Sequence, residues 1–396
     1  MCKFIIYGLV LLFISFTVKE STSSAENIPE HGKVMLVSLK MENNKHNIKK
    51  ITIQPGQHPL TRRFVNEDQD NNPQLMVIDQ QNNILYKTAF NYPKVQTVPP
   101  LPPGRPEDKT PSVIPIEDPE VTLIVPYFTR ADLVLIVNPG ESAPSAIGFV
   151  QDAEFMTNQE DYPAFEQKPS EPGKFHILIM ASDYNANEMN KFRTQANKIK
   201  KIVLNTAPFK KYAENIKVHI YENQKDLGCF TGCYNIDRLT CCNQSKVISA
   251  AAKSGFNVDE IIIIHNTDTY SGGGYRENPG TYKDNSNSSY CVVYDGYYSS
   301  VMALHEFGHS FGNLCDEYSY GSEGYTYYNC VNCRKGCNNY PQSGKCQKGC
   351  DAKPRYYRPD NSVMYSLSYS FYNKASINAP YPPDGLKKRI QYFISK

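Results

Sequence analysis

The run FHILIMAS, residues 175–182, is apolar without alternation. A strand of that kind is buried on both faces, which calls for helices or sheets packed above and below it. The segments around it repeat the demand. IKVHIY and DEIIIIHN read as further strands, and SKVISAAAKSGF between them as a helix. ANEMNKFRTQANKIKKIVLNTA has helical spacing, with Met189, Phe192, Ala196, Ile199, Ile202 and Val203 on one face. SSYCVVYDG reads as a last strand and YYSSVMALHEFGHSF as a helix starting near Tyr297. The alternation predicts an α/β layer with a mostly parallel sheet.

The preceding part follows another pattern. KVMLVSLKM, LMVID and ILYKTAF are β-like, the last two joined by the turn signal QQNN; VTLIVPYF and ADLVLIVNPG are two more strand candidates. Together they suggest a β-sandwich-like unit. Between them lies NYPKVQTVPPLPPGRPEDKTPSVIPIEDPE, too rich in proline for a helix or a central strand, and read as a stiff linker or a long extended excursion. The polar, breaker-rich EDYPAFEQKPSEPGK puts a boundary near residue 160. The expected organisation is a signal peptide over 1–25, a β-rich domain over 26–160 and an α/β domain over 161–396.

The signal rests on Lys3, the apolar stretch Phe4 to Val18, and the small residues Ser23 and Ala25. The apolar run is shorter than the roughly 20 residues of a spanning helix, so no membrane span is expected in the mature chain. Twelve cysteines fit export. One cluster is Cys229, Cys233, Cys241 and Cys242; another runs from Cys330 to Cys350; Cys291 and Cys315 stand between. The second cluster, NCVNCRKGCNNYPQSGKCQKGC, offers no histidine and no clean second CxxC, so disulfides are expected there rather than a structural zinc site. Eleven cysteines after signal removal leave one thiol over. The net charge of +2 gives no reason to expect a nucleic-acid partner. NQS at Asn243 and NSS at Asn287 are sequons, used only if the host glycosylates exported proteins.

Chemistry concentrates in ALHEFGHSFGNLCDEY, Ala303 to Tyr318. His305 and His309 are four apart, so one helix face directs both imidazoles at one point. That makes two corners of a tetrahedral zinc site. Glu306, rotated about 100° around the helix, stands beside a metal-activated water as general base. Gly312 is placed to end the helix and turn the chain back. The third ligand is expected to be Asp316, an oxygen donor that zinc accepts, with Cys315 and Glu317 as alternatives. If Asp316 binds, Glu317 is free to fix the turn or support a histidine. Met364, in NSVMY, stands for a methionine turn under the metal.

HEFGHSFGNLCDEY resembles the active-site signature of the IgA-peptidase family of secreted zinc metalloendopeptidases, HEFGHSFG followed by three residues and then DEY. The match covers His305, Glu306, His309, Gly312, Asp316, Glu317 and Tyr318. GCFTGCYNIDRLTCC, VDEIIIIHNTDTYSGGG and RYYRPDNSVMYS resemble further segments, so the likeness spans about residues 175–375. It implies a metzincin-like catalytic domain with His305, His309 and Asp316 on zinc, Glu306 as general base and Met364 in the Met-turn. Two positions depart from the family pattern: Asp183 stands where a glycine usually precedes the tyrosine, and Tyr365 where arginine often follows the methionine.

The function expected is endoproteolysis of a protein or glycoprotein outside the cytoplasm, extracellular or periplasmic. Tyr365 is a candidate donor to the oxyanion, YCVVY (Tyr290 to Tyr294) the sheet edge expected to pair with substrate, and YSGGGY a lip or a plain surface loop. His265 is expected to be a satisfied core histidine. No zymogen switch is evident. Two other classes fit parts of the pattern: an adhesin or glycan-binding protein with a structural zinc, and a zinc amidase acting on cell-wall peptide.

Overall fold

The computed structural model describes residues 29–395 except 31, 57–71, 91, 93–94, 106–112, 142, 156–170, 277–289, 319–331, 334–335, 337–346, 351–352, 359 and 379–384. The expected signal, the boundary near 160, the sequon at Asn287 and most of the second cysteine cluster lie outside the described residues. No helix among the described residues is long and apolar enough to cross a membrane.

Two four-stranded sheets form the first part. One has the order β10 (Glu154–Phe155), β2 (Lys45–Pro55), β1 (Lys33–Glu42), β7 (Glu120–Pro126); the other β4 (Ile84–Ala89), β3 (Gln74–Asp79), β8 (Ala131–Val137), β9 (Ala146–Phe149). The strand β2 was not singled out in the sequence, because KHNIKK is polar along half its length. It is fixed by its hairpin: Asn43 and Asn44 between β1 and β2 take φ of 50° and 60°, a left-handed pair that matches the twist of the strands. Met35, Val37 and Leu39 of β1 share one core with Leu75 and Val77 of β3 and Val134 and Ile136 of β8, so the two sheets bury each other's apolar faces. Val34 and Leu36 point the other way, into a cluster with Val247, Ile248 and Ala251 of helix α2 (Gln244–Lys253). Burial on both faces is why β1 reads as a nearly continuous apolar run.

The larger sheet has seven strands in the order β12 (Ile216–Tyr221), β11 (Phe175–Ser182), β15 (Glu260–His265), β17 (Tyr290–Tyr294), β16 (Gly272–Arg276), β5 (Val95–Thr97), β6 (Val113–Pro115). The first four are mutually parallel, and the remaining pairings are antiparallel. The expected parallel sheet is therefore half of the one observed. FHILIMAS is fully buried as β11. Ile177, Ile179 and Ala181 face a core with Phe192, Ile199, Met302, Phe307 and Phe393 from helices α1 (Met189–Asn205), α3 (Ser299–Ser310) and α5 (Leu386–Ile394), while Leu178 and Met180 face α2. A short helix α4 (Lys374–Asn378) precedes α5.

Two expectations are corrected here. YCVVY is not an edge: β17 lies between β15 and β16. YSGGGY is neither lip nor loop, because its glycines form β16. A Cβ on Gly272 would stand 2.7 Å from Met302 Sδ, and one on Gly273 3.1 Å from both Leu239 and the Thr240 carbonyl. The strand runs between α3 and the hairpin of β13 (Phe230–Thr231) and β14 (Thr240–Cys241), where side chains have no room. The proline-rich stretch is not merely a linker either, since it supplies β5 and β6 to this sheet. Disulfides Cys229–Cys242 and Cys233–Cys241 staple the β13–β14 hairpin, and Cys333–Cys350 joins Cys333 to strand β18 (Gln347–Cys350), which pairs with β19 (Lys353–Arg358). Cys291 is the free cysteine among the described residues, buried on β17.

Candidate metal centre

Helix α3 is buried almost all round, Met302 to Ser310 without exception. Its apolar residues Met302, Ala303, Leu304 and Phe307 join the core against the larger sheet, and its polar ones, His305, Glu306 and His309, are buried with them. Its end departs from expectation. Asn313, not Gly312, takes the left-handed conformation (φ 51°), with Asn313 N bonded to the His309 carbonyl at 3.0 Å and Leu314 N to the Gly308 carbonyl at 3.0 Å. Asparagine tolerates that conformation. Gly312 is required for space: a Cβ there would lie 2.5 Å from the Gly308 carbonyl and 2.7 Å from Leu386. Gly308 has the same role on the facing side, where a Cβ would meet Met364 Sδ at 2.6 Å. Met364 thus packs directly beneath the helix turn that carries the two histidines.

The turn after Asn313 brings Asp316 back to the helix. His305 Nε2 and His309 Nε2 are 3.0 Å apart, and Asp316 Oδ1 is 3.1 Å from each. All three residues have zero exposure. Both imidazoles are oriented from behind: His305 Nδ1 donates to the Val363 carbonyl at 2.8 Å and His309 Nδ1 to the Leu314 carbonyl at 2.7 Å. With each ring proton on Nδ1, the two Nε2 lone pairs converge with a carboxylate oxygen. Three acceptors facing one another in a buried space are complementary to a cation. The second oxygen, Asp316 Oδ2, is buried with no hydrogen-bond partner. This donor set, two nitrogens and one oxygen, fits a zinc-type divalent ion. Burial would push the Asp316 carboxyl up, whereas the positive charge of either imidazole, when protonated, pulls it well below the usual carboxylate range.

The other two sequence alternatives are engaged elsewhere. Cys315 is disulfide-bonded and offers no thiolate. Glu317 directs Oε1 to Asn332 Nδ2 (3.1 Å) and Asn373 Nδ2 (2.5 Å), and Oε2 to Ser362 Oγ (2.7 Å). Its own N–H donates to the Met364 carbonyl at 2.8 Å, so it ties the Asp316 turn to the methionine turn. Burial pushes its carboxyl up to about 7, against those three hydrogen bonds. Asn332, Ser362 and Asn373 carry no sequence signal for this task.

Glu306 is fully buried, and burial pushes its carboxyl up to about 8, with the Asp316 charge adding to the rise. Its Oε1 has no hydrogen-bond partner, while Oε2 accepts from Thr97 Oγ1 at 3.1 Å. Thr97 lies 209 residues away on β5, and nothing in the sequence pointed to it. Tyr318 stacks parallel to His305 at 6.5 Å and donates its hydroxyl to the Val98 carbonyl at 3.1 Å. Tyr365 lies with its ring 3.8 Å from the Arg358 guanidinium and edges a cleft of about 320 Å³ beside Tyr318. His265 is not one of the converging groups: at the end of β15 its Nδ1 meets Asp183 Oδ2 at 2.9 Å.

No curated protein matches the chain. A protein-family model does match, over residues 165–338, and its description is IgA Peptidase M64. The matched segment contains the parallel strands, α3, and the His305–Asp316 turn. The resemblance carried by HEFGHSFGNLCDEY is therefore matched by a family model, and over residues 165–338 the chain is similar to a family of peptidases, enzymes that hydrolyse peptide bonds.

Proposed function

We propose that this protein is an exported zinc endopeptidase: His305, His309 and Asp316 hold the ion, and Glu306 is the general base. The observation that carries this reading is the convergence of two Nε2 atoms and one carboxylate oxygen within 3.1 Å, with each Nδ1 committed to a backbone carbonyl. A bound zinc ion would polarise the scissile carbonyl and lower the pKa of water to about 7. Glu306 accepts the proton released as water attacks and passes it to the departing amine. Tyr365, on the rim of the cleft, donates to the developing oxyanion. In this reading residues 161–396 form a metzincin-like catalytic domain, and the two four-stranded sheets of residues 26–160 a sandwich-like companion. Export fits the three disulfides described.

The test is casein digestion by the purified chain, with and without a chelator, beside metal analysis. Glu306→Gln is expected to keep one equivalent of zinc and lose casein cleavage by about 10²- to 10⁴-fold. Asp316→Ala is expected to lose the metal. Full activity in Glu306→Gln would remove this residue from the mechanism. Peptidoglycan as a second substrate identifies an amidase. Zinc binding with neither substrate cut, also after the segment beside Glu306 is loosened as described below, identifies a binding protein.

A further inference from the structure

His305, Glu306, His309 and Asp316 have no exposed surface at all. An endopeptidase must bring several residues of a foreign chain to such atoms. The space beside Glu306 Oε2 is taken by Thr97, 3.1 Å away, in the protein's own segment Gln96–Gly104.

The occupation is strand-like. β5 pairs antiparallel with β16, Thr97 opposite Gly274 and Gln96 opposite Tyr275. Gly274 borders Glu306 closely: a Cβ on it would stand 3.2 Å from the Glu306 carboxylate. β16 is therefore the strip along which an extended peptide, held by main-chain bonds, passes this carboxylate. β5 uses those bonds. Thr97 also accepts from Gly274 N at 2.8 Å and places its hydroxyl 3.1 Å from Glu306 Oε2.

Beyond Thr97 the segment leaves the sheet, and its next three carbonyls are each taken by a side chain of the C-terminal half. Tyr318 Oη donates to Val98 O at 3.1 Å, Arg238 Nε to Pro99 O at 2.8 Å, and Tyr270 Oη to Pro100 O at 2.6 Å. Prolines at 99, 100, 102 and 103 keep the run extended at small entropic cost. Leu101 to Arg105 continue along the cleft beside Tyr318 and Tyr365.

We infer that Gln96–Gly104 is a built-in pseudosubstrate, that the protein rests self-blocked, and that turnover requires this segment to leave β16. The inference rests on the endopeptidase reading above. A different arrangement, in which the segment is a permanent wall needed to hold Glu306, predicts the opposite sign when the segment is loosened.

Tyr270→Phe deletes one hydroxyl anchor without touching the metal cluster, and Tyr270→Phe with Arg238→Gln deletes two. Two quantities are read on the full zinc-loaded chain: amide hydrogen exchange across residues 272–276, and hydrolysis of a casein-derived fluorogenic peptide. In Tyr270→Phe both rise, by roughly three- to tenfold for the loss of one hydrogen bond, and the double variant goes further in the same direction. A synthetic peptide of residues 96–104 then inhibits the double variant by raising KM with kcat unchanged. Adding Glu306→Gln abolishes hydrolysis and leaves the fast exchange. Hydrolysis by the full chain that falls as the strand opens overturns the self-block alone. Absence of hydrolysis in every form, with the strand opened, overturns the endopeptidase reading and the self-block with it. Should the double variant not fold, the single hydroxyl deletion carries the test.

Discussion

Two stretches of chain meet at Glu306 and are held there by different means. Residues 299–318 are fixed through their own backbone and through buried side chains. The helix positions both histidines, the Asn313 turn returns Asp316, and Glu317 bonds to Asn332, Ser362 and Asn373. The segment 95–105 is held by a three-residue strand pairing, by three carbonyls that each meet a side-chain donor, and by the buried side chains of Gln96 and Thr97, which bond the Thr240 carbonyl at 2.9 Å and Gly274 N at 2.8 Å. Val98 seats it in an apolar cluster beside Cys233, Leu239 and Cys241. Pre-organised ligands belong to the first kind of construction, where removing one group disturbs the rest. The second kind can be released one donor at a time without unfolding what lies below.

Substitutions can break or sharpen this contrast. The largest stability effect is expected at Glu317→Ala. It takes one acceptor from each of three buried donors, Asn332, Asn373 and Ser362, of which Asn332 and Asn373 keep a backbone carbonyl as a second. Loss on the order of 3 kcal/mol follows from losing these buried bonds, read as a lower denaturant midpoint together with weaker zinc retention. A midpoint unchanged from the parent would show that the turn does not depend on this carboxylate. Gly308→Ala comes next. Its Cβ would press on Met364 Sδ at 2.6 Å and Tyr372 at 3.0 Å. Overpacking of this kind costs about 1–3 kcal/mol, and a thermal melt measures it; pairing it with the smaller Met364→Ala should recover part of the loss. The smallest effect is expected where the first sheet meets α2. Ser245 Oγ bonds Thr122 at 2.6 Å and Ser38 at 3.1 Å on partly buried surface. Ser245→Ala should cost about 1 kcal/mol and leave peptide hydrolysis at the parental rate. A marked change in rate would tie the first part of the chain to the site by a second route.

Legibility follows the range of the interactions. β11 and α1 were readable to within a residue or two because burial on both faces, or on one helical face, writes itself into consecutive residues. β2 was missed because half of it faces solvent. The glycines of β16 looked like a loop because the reason for them, Met302 and Leu239 pressing on the strand, lies elsewhere in the chain. Gly312 was read as a conformational stop when its role is steric, and Asn313 provides the left-handed residue.

The sequence by itself put two imidazoles on one face, since residues four apart on a helix lie one turn apart, and left Asp316, Cys315 and Glu317 open as the third donor. Only the tertiary structure decided which strand runs beside Glu306, that Asp316 returns to the two imidazoles, which distant side chains hold Glu317, and that Thr97 of the proline-rich segment bonds Glu306. Strand order and long-range pairing depend on how whole faces pack, and no local pattern of residues encodes that.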